Sequence, residues 1–175
     1  MGIQVAFFRG LNVGKSTRIA MRDLIGAFEA LGCTSVRSYV QSGNVVFVAD
    51  ASLVSGIGEA IEQRMKSGFG VRTWVTLRDL DAMRAIVSSN PFLDLNAPPT
   101  SVAVAFHRSN VELAFDDSAL ADRVEHRGSE TWLYLPNGFS GTNLPASFFA
   151  KQLGEATTRN WRTVTKVLEM MEALV

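Results

Sequence analysis

The chain has 175 residues, 47% of them hydrophobic, and its 17 basic and 17 acidic side chains give a formal net charge of zero. This length allows one well-formed core or two small lobes. A general binder of nucleic acid or of acidic membranes normally carries a basic excess, so the balanced charge argues against both partners. The single cysteine excludes an internal disulfide and a thiolate metal cluster.

The sequence also lacks the signals of membrane insertion and export. No stretch has the ~20 consecutive apolar residues of a membrane span. Ile3–Phe8 is apolar but too short for a signal peptide, and it lacks a cationic flank. Met1-Gly2 begins like a myristoylation signal, but Ala6 stands where Ser or Thr is required. We therefore expect a cytoplasmic protein with no membrane partner.

The first half of the chain predicts six alternating elements. Apolar runs rich in β-branched residues indicate strands, and apolar positions three or four residues apart indicate helices. Their order, βαββαβ, is the ferredoxin-like unit, in which two helices cover one face of an antiparallel sheet. The elements are strand Ile3–Phe8, a helix from Met21 to Leu31, strands Val36–Val40 and Val45–Val48 around a Ser42-Gly43 turn, a helix from Asp50 or Ser52 to about Gly68, and strand Val71–Val75.

The second half also mixes helices and strands. Thr76 and Asp79 have the spacing of a helix capping box, and Asn96–Pro99 is the best linker candidate. We expect an α+β fold in one domain, with a ferredoxin-like lobe (residues 1–76) followed by a smaller α+β lobe (77–175) that ends in an amphipathic helix. Its predicted elements are strand Ser101–Phe106, a short helix Asp117–Arg123, strands Val124–His126 and Thr131–Leu135, a helix Leu144–Leu153, and a final helix that includes Trp161 to Leu174.

The segment Gly10–Ser16 resembles a phosphate-binding P-loop, which has Gly, four residues, Gly, Lys and Ser or Thr between a strand and a helix. The P-loop pattern requires a glycine five residues before Gly14, but Arg9 stands there and Gly10 is one position late. The helix, moreover, begins only near Met21. The predicted antiparallel sheet also differs from the parallel sheet of P-loop domains. These features argue against a nucleoside triphosphatase and leave a looser anion-binding loop that uses Arg9, Lys15 and backbone amides.

Two arginines stand where the last helix is expected to begin, with Thr158 as its predicted cap. The amino end of a helix carries partial positive charge, so Arg159 and Arg162 there are unfavourable by about a few tenths of a kcal/mol each. The compensating negative charge is either a carboxylate of the protein or its partner, or a bound anion. The sequence leaves both open.

Catalytic motifs are missing from the sequence. His107 and His126 have no partner at metal-ligand spacing, and Cys33 has no activating neighbour. No carboxylate pair, nucleophile elbow or dinucleotide motif is present. We expect no metal and no cofactor, and the sequence leaves open whether the protein is an enzyme.

The same βαββαβ order is that of the RNA-recognition fold, in which aromatic residues on the central strands stack on bases. Phe8 and Phe47 could occupy such places. The segment Ser42–Phe47, however, lacks the basic and aromatic pattern of that fold, and the neutral charge is unfavourable. Packing in the core is the stronger interpretation of both phenylalanines, and RNA binding stays an alternative.

Several segments together resemble one known family: Arg9–Gly14, Tyr39–Phe47 and Thr157–Val164, with Asn90-Pro91-Phe92 and Leu144–Gly154 in support. They are similar to the bacterial family called domain of unknown function 1697 (DUF1697), and the resemblance covers the whole chain. It implies a small bacterial α+β protein with ferredoxin-like parts, and it brings no established activity. It also implies that Lys15-Ser16 is a local variation, and that Asn143 stands where members commonly have a lysine.

Our leading hypothesis is a small-ligand or anion-binding protein whose polar residues converge on one cleft. The competing interpretation is that the asparagine and glutamine residues satisfy the backbone of turns. The alternatives are a single-stranded RNA-binding module and a protein-interaction or dimerisation domain that uses an open sheet face. The oligomeric state is left open. The candidate site residues are Arg9, Asn12, Lys15, Gln41, Ser42, Asn44, Arg159, Asn160 and Arg162.

Overall fold

The computed structural model describes residues 1–14, 17–41 and 43–175. These residues form two compact units. The first unit comprises Met1–Arg84 and Val167–Val175, and the second comprises Ala85–Lys166. Each contains a four-stranded antiparallel sheet, which confirms the α+β fold class. The assignment of lobes at residues 1–76 and 77–175 of one domain stays a prediction. None of the helices in the described residues is long and apolar enough to cross a membrane.

The first unit has the predicted ferredoxin-like topology. Its strands pair in the order β2-β3-β1-β4, and every pairing is antiparallel. A P-loop domain uses a parallel sheet, so this antiparallel topology agrees with the sequence argument against a P-loop, whose Lys15-Ser16 lie outside the described residues. The elements are β1 (Gly2–Phe8), α1 (Met21–Glu29), β2 (Thr34–Tyr39), β3 (Asn44–Ala49), α2 (Ala51–Phe69) and β4 (Val75–Asp79), with α3 (Leu80–Ser88) following.

Alternation along β1 and β3 places Phe8 and Phe47 on the sheet face that α1 and α2 cover. Phe28 of α1 lies between them, with ring centroids 6.1 Å from Phe8 and 4.9 Å from Phe47. All three side chains are fully buried. Each contributes about 1.5–3 kcal/mol through burial. This core holds β1 and the start of α1 in place, and the loop between them carries several of the predicted site residues.

The structure corrects the sequence prediction where β4 meets α3. The predicted strand Val71–Val75 and the predicted cap Thr76 are both displaced, because β4 spans Val75–Asp79 and pairs Thr76 with Phe7. The cap of α3 is Asp79, whose Oδ1 accepts a hydrogen bond from the backbone N–H of Ala82 at 2.7 Å.

The second unit repeats the strand order of the first. Its strands are β5 (Val102–Phe106), β6 (Arg123–Arg127), β7 (Glu130–Tyr134) and β8 (Thr157–Asn160), paired in the order β6-β7-β5-β8. After β8 the chain continues as α4 (Trp161–Glu172). Where a ferredoxin-like unit has two helices, this unit has irregular chain before β6 and, before β8, a 3-10 turn (Phe139–Gly141) and a π turn (Phe148–Gln152). The second unit is therefore a degenerate ferredoxin-like unit.

Two helices predicted in the second unit are wrong or shortened, because aspartate side chains bind the backbone there. Asp116 Oδ1 accepts from the N–H of Ser118, and Asp117 Oδ2 accepts from the N–H of Val124. The predicted helix Asp117–Arg123 is consequently a turn that leads into β6. The predicted helix Leu144–Leu153 is reduced to the π turn, since Asp122 Oδ2 accepts from the N–H groups of residues 143 and 144.

Candidate functional site

The first unit contains a cavity of about 520 Å³ at the start of α1. Its walls come from the β1–α1 loop, from the first residues of α1 and from the turn between β2 and β3. A cavity of this volume is in the range that holds a small molecule. The described lining residues are Asn12, Arg18, Ile19, Ala20, Met21 and Gln41.

Asn12 joins two walls of this cavity. Its side-chain Nδ2 donates to the Gln41 carbonyl oxygen at 2.7 Å, and its Oδ1 accepts from the backbone N–H of Ile19 at 2.8 Å. The backbone N–H of Asn12 donates to the Thr17 carbonyl oxygen at 2.9 Å. Asn12 also adopts the left-handed conformation, with φ of 59°, which asparagine tolerates better than most residues. Its bonds therefore shape the loop that was predicted to bind ligand.

The turn between β2 and β3 contains one predicted residue whose side chain bonds to the backbone and one whose side chain is available to a ligand. Asn44 is fully buried, and its Nδ2 donates to the Tyr39 carbonyl oxygen at 2.9 Å. Gly43 has φ of 73°, and a Cβ there would lie 2.7 Å from the Cβ of Phe8. The side chain of Gln41, in contrast, is exposed and lines the cavity. Asn44 is thus a structural residue, and Gln41 remains available to a ligand.

Helix α1 begins without a side-chain cap. Its N-cap residue is Ala20, which has no side chain able to accept from the first backbone N–H groups. The first backbone bonds of the helix run from the N–H groups of Asp23 and Leu24 to the Ala20 carbonyl oxygen. Among the described residues, no acceptor is paired with the N–H groups of Met21 and Arg22. Ala20 and Met21 line the cavity, so the positive end of the helix dipole lies at its wall.

Arg18 adds a full positive charge to the same wall. Its side chain is exposed, and in the part of the chain that the structure describes it has neither a hydrogen bond nor an ion pair. A guanidinium group in this setting is free to donate two parallel bonds to a carboxylate or phosphate. Sequence analysis missed Arg18, although the absence of a capping residue at position 20 was a visible signal.

Arg9 directly follows the last residue of β1 and is not among the residues that line this cavity. Its guanidinium carbon lies 5.4 Å from the centre of the Trp74 ring, a cation–π contact. Its backbone N–H donates to the Trp74 carbonyl oxygen, and its own carbonyl oxygen accepts from Thr73 Oγ1. Lys15 and Ser42, the other predicted residues of this region, lie outside the described residues.

The predicted residues of the last helix lie in the second unit, and two have structural partners. Arg159 is on β8 opposite Val104, and only 8% of its surface is exposed. Its Nη1 donates to Thr157 Oγ1 at 2.8 Å and to the Thr158 carbonyl oxygen at 2.9 Å. Burial lowers the pKa of its guanidinium to about 10. Arg159 therefore precedes α4 and stands on a strand, which corrects its predicted place in the helix.

The cap of α4 is Asn160, because its Oδ1 accepts from the Thr163 N–H at 2.9 Å. The predicted cap, Thr158, belongs to β8. Arg162 is exposed in the first turn of α4, as predicted. The convergence of Arg159, Asn160 and Arg162 on one cleft with the residues of the first unit stays a prediction.

The remaining kinds of site find little support in the described structure. Phe8 and Phe47 are fully buried, so neither offers a ring for base stacking. On the opposite face of the same sheet, Val5, Phe7 and Val46 are also fully buried, so these positions present no open apolar patch. Within residues 1–14, 17–41 and 43–175, no three His, Cys, Asp or Glu side chains are grouped to hold a metal ion.

Comparison with known proteins identifies a family and a fold. The family model described as "Protein of unknown function (DUF1697)" matches residues 1–132. Among solved structures, the chain is similar to the conserved bacterial protein SP0830 from Streptococcus pneumoniae, with 18% sequence identity and a TM-score of 0.69. That match covers 98% of this chain and 99% of the other. At this identity the likeness shows the fold alone. No curated protein matches the chain.

Proposed function

The chain belongs to the family described as protein of unknown function (DUF1697), and we propose that it binds a small anionic ligand in the cavity at the start of α1. The observation that supports this proposal most directly is the position of Arg18. Its exposed guanidinium group lines a cavity of about 520 Å³ and has no protein partner among the described residues. An anion would supply that partner.

The backbone at the same wall favours the same ligand class. The N–H groups of Met21 and Arg22 have no described acceptor, because Ala20 cannot cap the helix. A bound anion would accept from these donors and interact favourably with the helix dipole, by about 0.3–1 kcal/mol for the dipole alone. The matching chemistry is a carboxylate, sulfate or phosphate group on a small molecule.

The neighbouring amide groups would set the orientation of the ligand. Gln41 has an exposed side chain at the cavity and can donate or accept a hydrogen bond. Asn12 contributes mainly by holding the loop, since both its side-chain atoms already bond to backbone groups. The proposed ligand contacts are therefore Arg18, Gln41 and the first amides of α1, on a frame that Asn12 supports.

Arg18 is a better residue than Arg159 for testing this proposed function. Replacement of Arg159 would remove a buried charged group that bonds to Thr157 and to the backbone, so the variant would lose stability whether or not it binds a ligand. Arg18 is exposed and has no such bonds, so Arg18→Ala should leave the stability of the free protein within about 0.5 kcal/mol.

Thermal unfolding with added anions tests the proposal. Sulfate, phosphate, small carboxylates and nucleotides are compared at constant ionic strength on the wild type, on Arg18→Ala, and on Arg64→Ala as a matched control. Arg64 is an exposed arginine of α2 that does not line the cavity. A ligand at 100 times its Kd stabilises the folded state by about 2.7 kcal/mol. For a chain of this length that raises Tm by about 5–10 °C.

The expected result is a rise in Tm for the wild type and Arg64→Ala, and a much smaller rise for Arg18→Ala. Sulfate and phosphate also stabilise proteins through exclusion from the surface, which would raise Tm equally in all three proteins. Equal shifts in all three, or no shift with any anion, would therefore refute the proposed site.

A further inference from the structure

A second cavity of the first unit, of about 440 Å³, lies where β1 and α3 begin. The first cavity lies at the other end of the same sheet, where β1 finishes. The described residues that line the two cavities are all different. Those of the second cavity include Gln4 of β1, Asp79 at the end of β4, and Leu80, Asp81 and Arg84 of α3.

Gln4 is a buried polar residue whose side chain has no described partner. Only 7% of its surface is exposed. Its backbone lies inside the sheet, paired with Phe47 on one side and with Asp79 on the other, so Gln4 reaches the cavity through its side chain. Within residues 1–14, 17–41 and 43–175 its amide group neither donates nor accepts a hydrogen bond. Buried amides are almost always hydrogen-bonded, so a partner for Gln4 is to be sought in the cavity.

The carboxylate of Asp79 lies beside this amide. Gln4 and Asp79 stand directly opposite each other on paired strands, so their side chains extend from the same sheet face with Cβ atoms about 4.5–5.5 Å apart. Asp79 Oδ1 accepts from the Ala82 N–H and caps α3, whereas Oδ2 has no partner among the described residues. The two neighbouring side chains do not bond to each other. A group with several N–H donors between them would satisfy both.

The charges around the second cavity favour a cation. Asp79 and Asp81 are negative, and Arg84 is the positive side chain among the described lining residues. Arg84 is already paired, since its Nε lies 3.2 Å from Glu172 Oε1 and its Nη1 lies 3.4 Å from Asp81 Oδ1. In the part of the chain that the structure describes, the charge of Asp79 is therefore left without a counterion. An anion would be repelled by this carboxylate, and a cation would be attracted.

We propose that the second cavity binds a small organic cation of the amidine or guanidine class. Such a group is planar and directs several N–H donors outward, so it can donate to Gln4 Oε1 and to Asp79 Oδ2 at the same time. Leu80, which also lines the cavity, would contact the carbon part of the ligand. This site is separate from the anion site at the start of α1 and does not depend on it.

Amide NMR spectra with benzamidine test the proposal, with benzamide and benzoate as its neutral and anionic isosteres. Benzamidine should shift the signals of Ile3 and Leu80, which line the cavity. Benzamide should bind at least about fivefold more weakly, the effect of one charge pair about 4 Å apart in water, and benzoate should not bind there. Benzamide or benzoate binding as tightly as benzamidine would overturn the proposal. So would the absence of any shift at this cavity with both benzamidine and the smaller acetamidine.

Two substitutions test the two acceptors separately. Asp79→Asn removes the charge but keeps the cap of α3, because asparagine caps as well as aspartate, and it should weaken benzamidine binding about fivefold or more. Gln4→Met removes one hydrogen bond to the ligand and should weaken binding about twofold to tenfold. Asp50→Asn is the matched control, since Asp50 is exposed before α2 and does not line the cavity. Wild-type affinity in Asp79→Asn or in Gln4→Met, or an equal loss in Asp50→Asn, would contradict the assigned contacts.

The stability of the ligand-free variants distinguishes a binding role of Gln4 from a structural one. Gln4→Met replaces an amide that lacks a partner by an apolar side chain of similar volume, so its Tm should equal or exceed that of the wild type. A lower Tm would show that the free protein already satisfies the amide, and the proposal would fail. Arg18→Ala should bind benzamidine with wild-type affinity, because Arg18 lines only the first of these two cavities. The two proposed sites therefore fail independently.

Discussion

Removal of the Asn12 side chain tests the structural role that the contacts assign to this residue. In Asn12→Ala two hydrogen bonds disappear, one to the Gln41 carbonyl oxygen and one from the Ile19 N–H. Both backbone groups belong to the walls of the first cavity. The substitution also places alanine at a backbone position with φ of 59°.

The expected loss follows from these two terms. A hydrogen bond of this kind contributes about 0.5–1.5 kcal/mol to the free energy of unfolding, so the pair contributes about 1–3 kcal/mol. The left-handed conformation costs alanine about 1–2 kcal/mol. Asn12→Ala should therefore lower the free energy of unfolding by about 2–5 kcal/mol. Asn12→Gly loses the same bonds but tolerates the positive φ, so it should be less destabilised than the alanine variant.

Urea unfolding followed by circular dichroism measures the change, with Asn143→Ala as the control. Asn143 is exposed, and only its backbone N–H has a described bond, so that variant should stay within about 0.5 kcal/mol of the wild type. A loss below about 0.5 kcal/mol in Asn12→Ala would show that the two bonds contribute nothing to stability. If Asn12→Gly were less stable than Asn12→Ala, the assumed cost of placing alanine at a positive φ would be refuted.

Two further predictions concern the first unit. Gly43→Ala should lower the free energy of unfolding by about 2–5 kcal/mol in the same assay, because the new Cβ would lie 2.7 Å from Phe8 and 3.0 Å from Leu11 at a positive φ. The control is Gly10→Ala, where φ is 65° and no atom lies within 4 Å of the new Cβ, so it should lose only about 1–2 kcal/mol. Equal losses in the two variants would contradict the packing argument. Burial raises the pKa of the Cys33 thiol from 9.0 to about 11, so unfolded chains lose the thiol proton at lower pH than folded ones. The contribution of the protonated thiol to the free energy of unfolding is therefore complete below pH 9 and disappears as pH rises to 11. Unfolding measured from pH 8 to 11 should show this decline in the wild type, and Cys33→Ala should lack it.

The topology of the first unit followed from local patterns. Apolar spacing identified β1, α1 and the β2–β3 hairpin, because each buries one face against a neighbour close in sequence. The second unit was harder to predict. Asp116, Asp117 and Asp122 bind backbone N–H groups, and this competition replaced two expected helices with turns.

The candidate site was predicted less well than the fold. Asn12 and Asn44 were predicted to bind ligand because their side chains are polar and lie in turns, yet their amide groups bond to the backbone of neighbouring turns. The sequence shows that such a side chain is polar, but only the path of the loop shows which carbonyl lies 2.7 Å away. Arg159 was predicted at a helix start, and the pairing of β8 with β5 buries it on a strand instead.

The sequence by itself determined the class of the protein: an α+β chain of balanced charge with a ferredoxin-like first half and an imperfect P-loop. These properties depend on composition and on periodicity within a few residues. The tertiary structure decided which polar groups are satisfied and which face a cavity, because that depends on atoms distant in sequence. Only the folded chain shows that the Arg18 side chain lines a cavity, and that two histidines 19 residues apart (107 and 126) meet at Thr131.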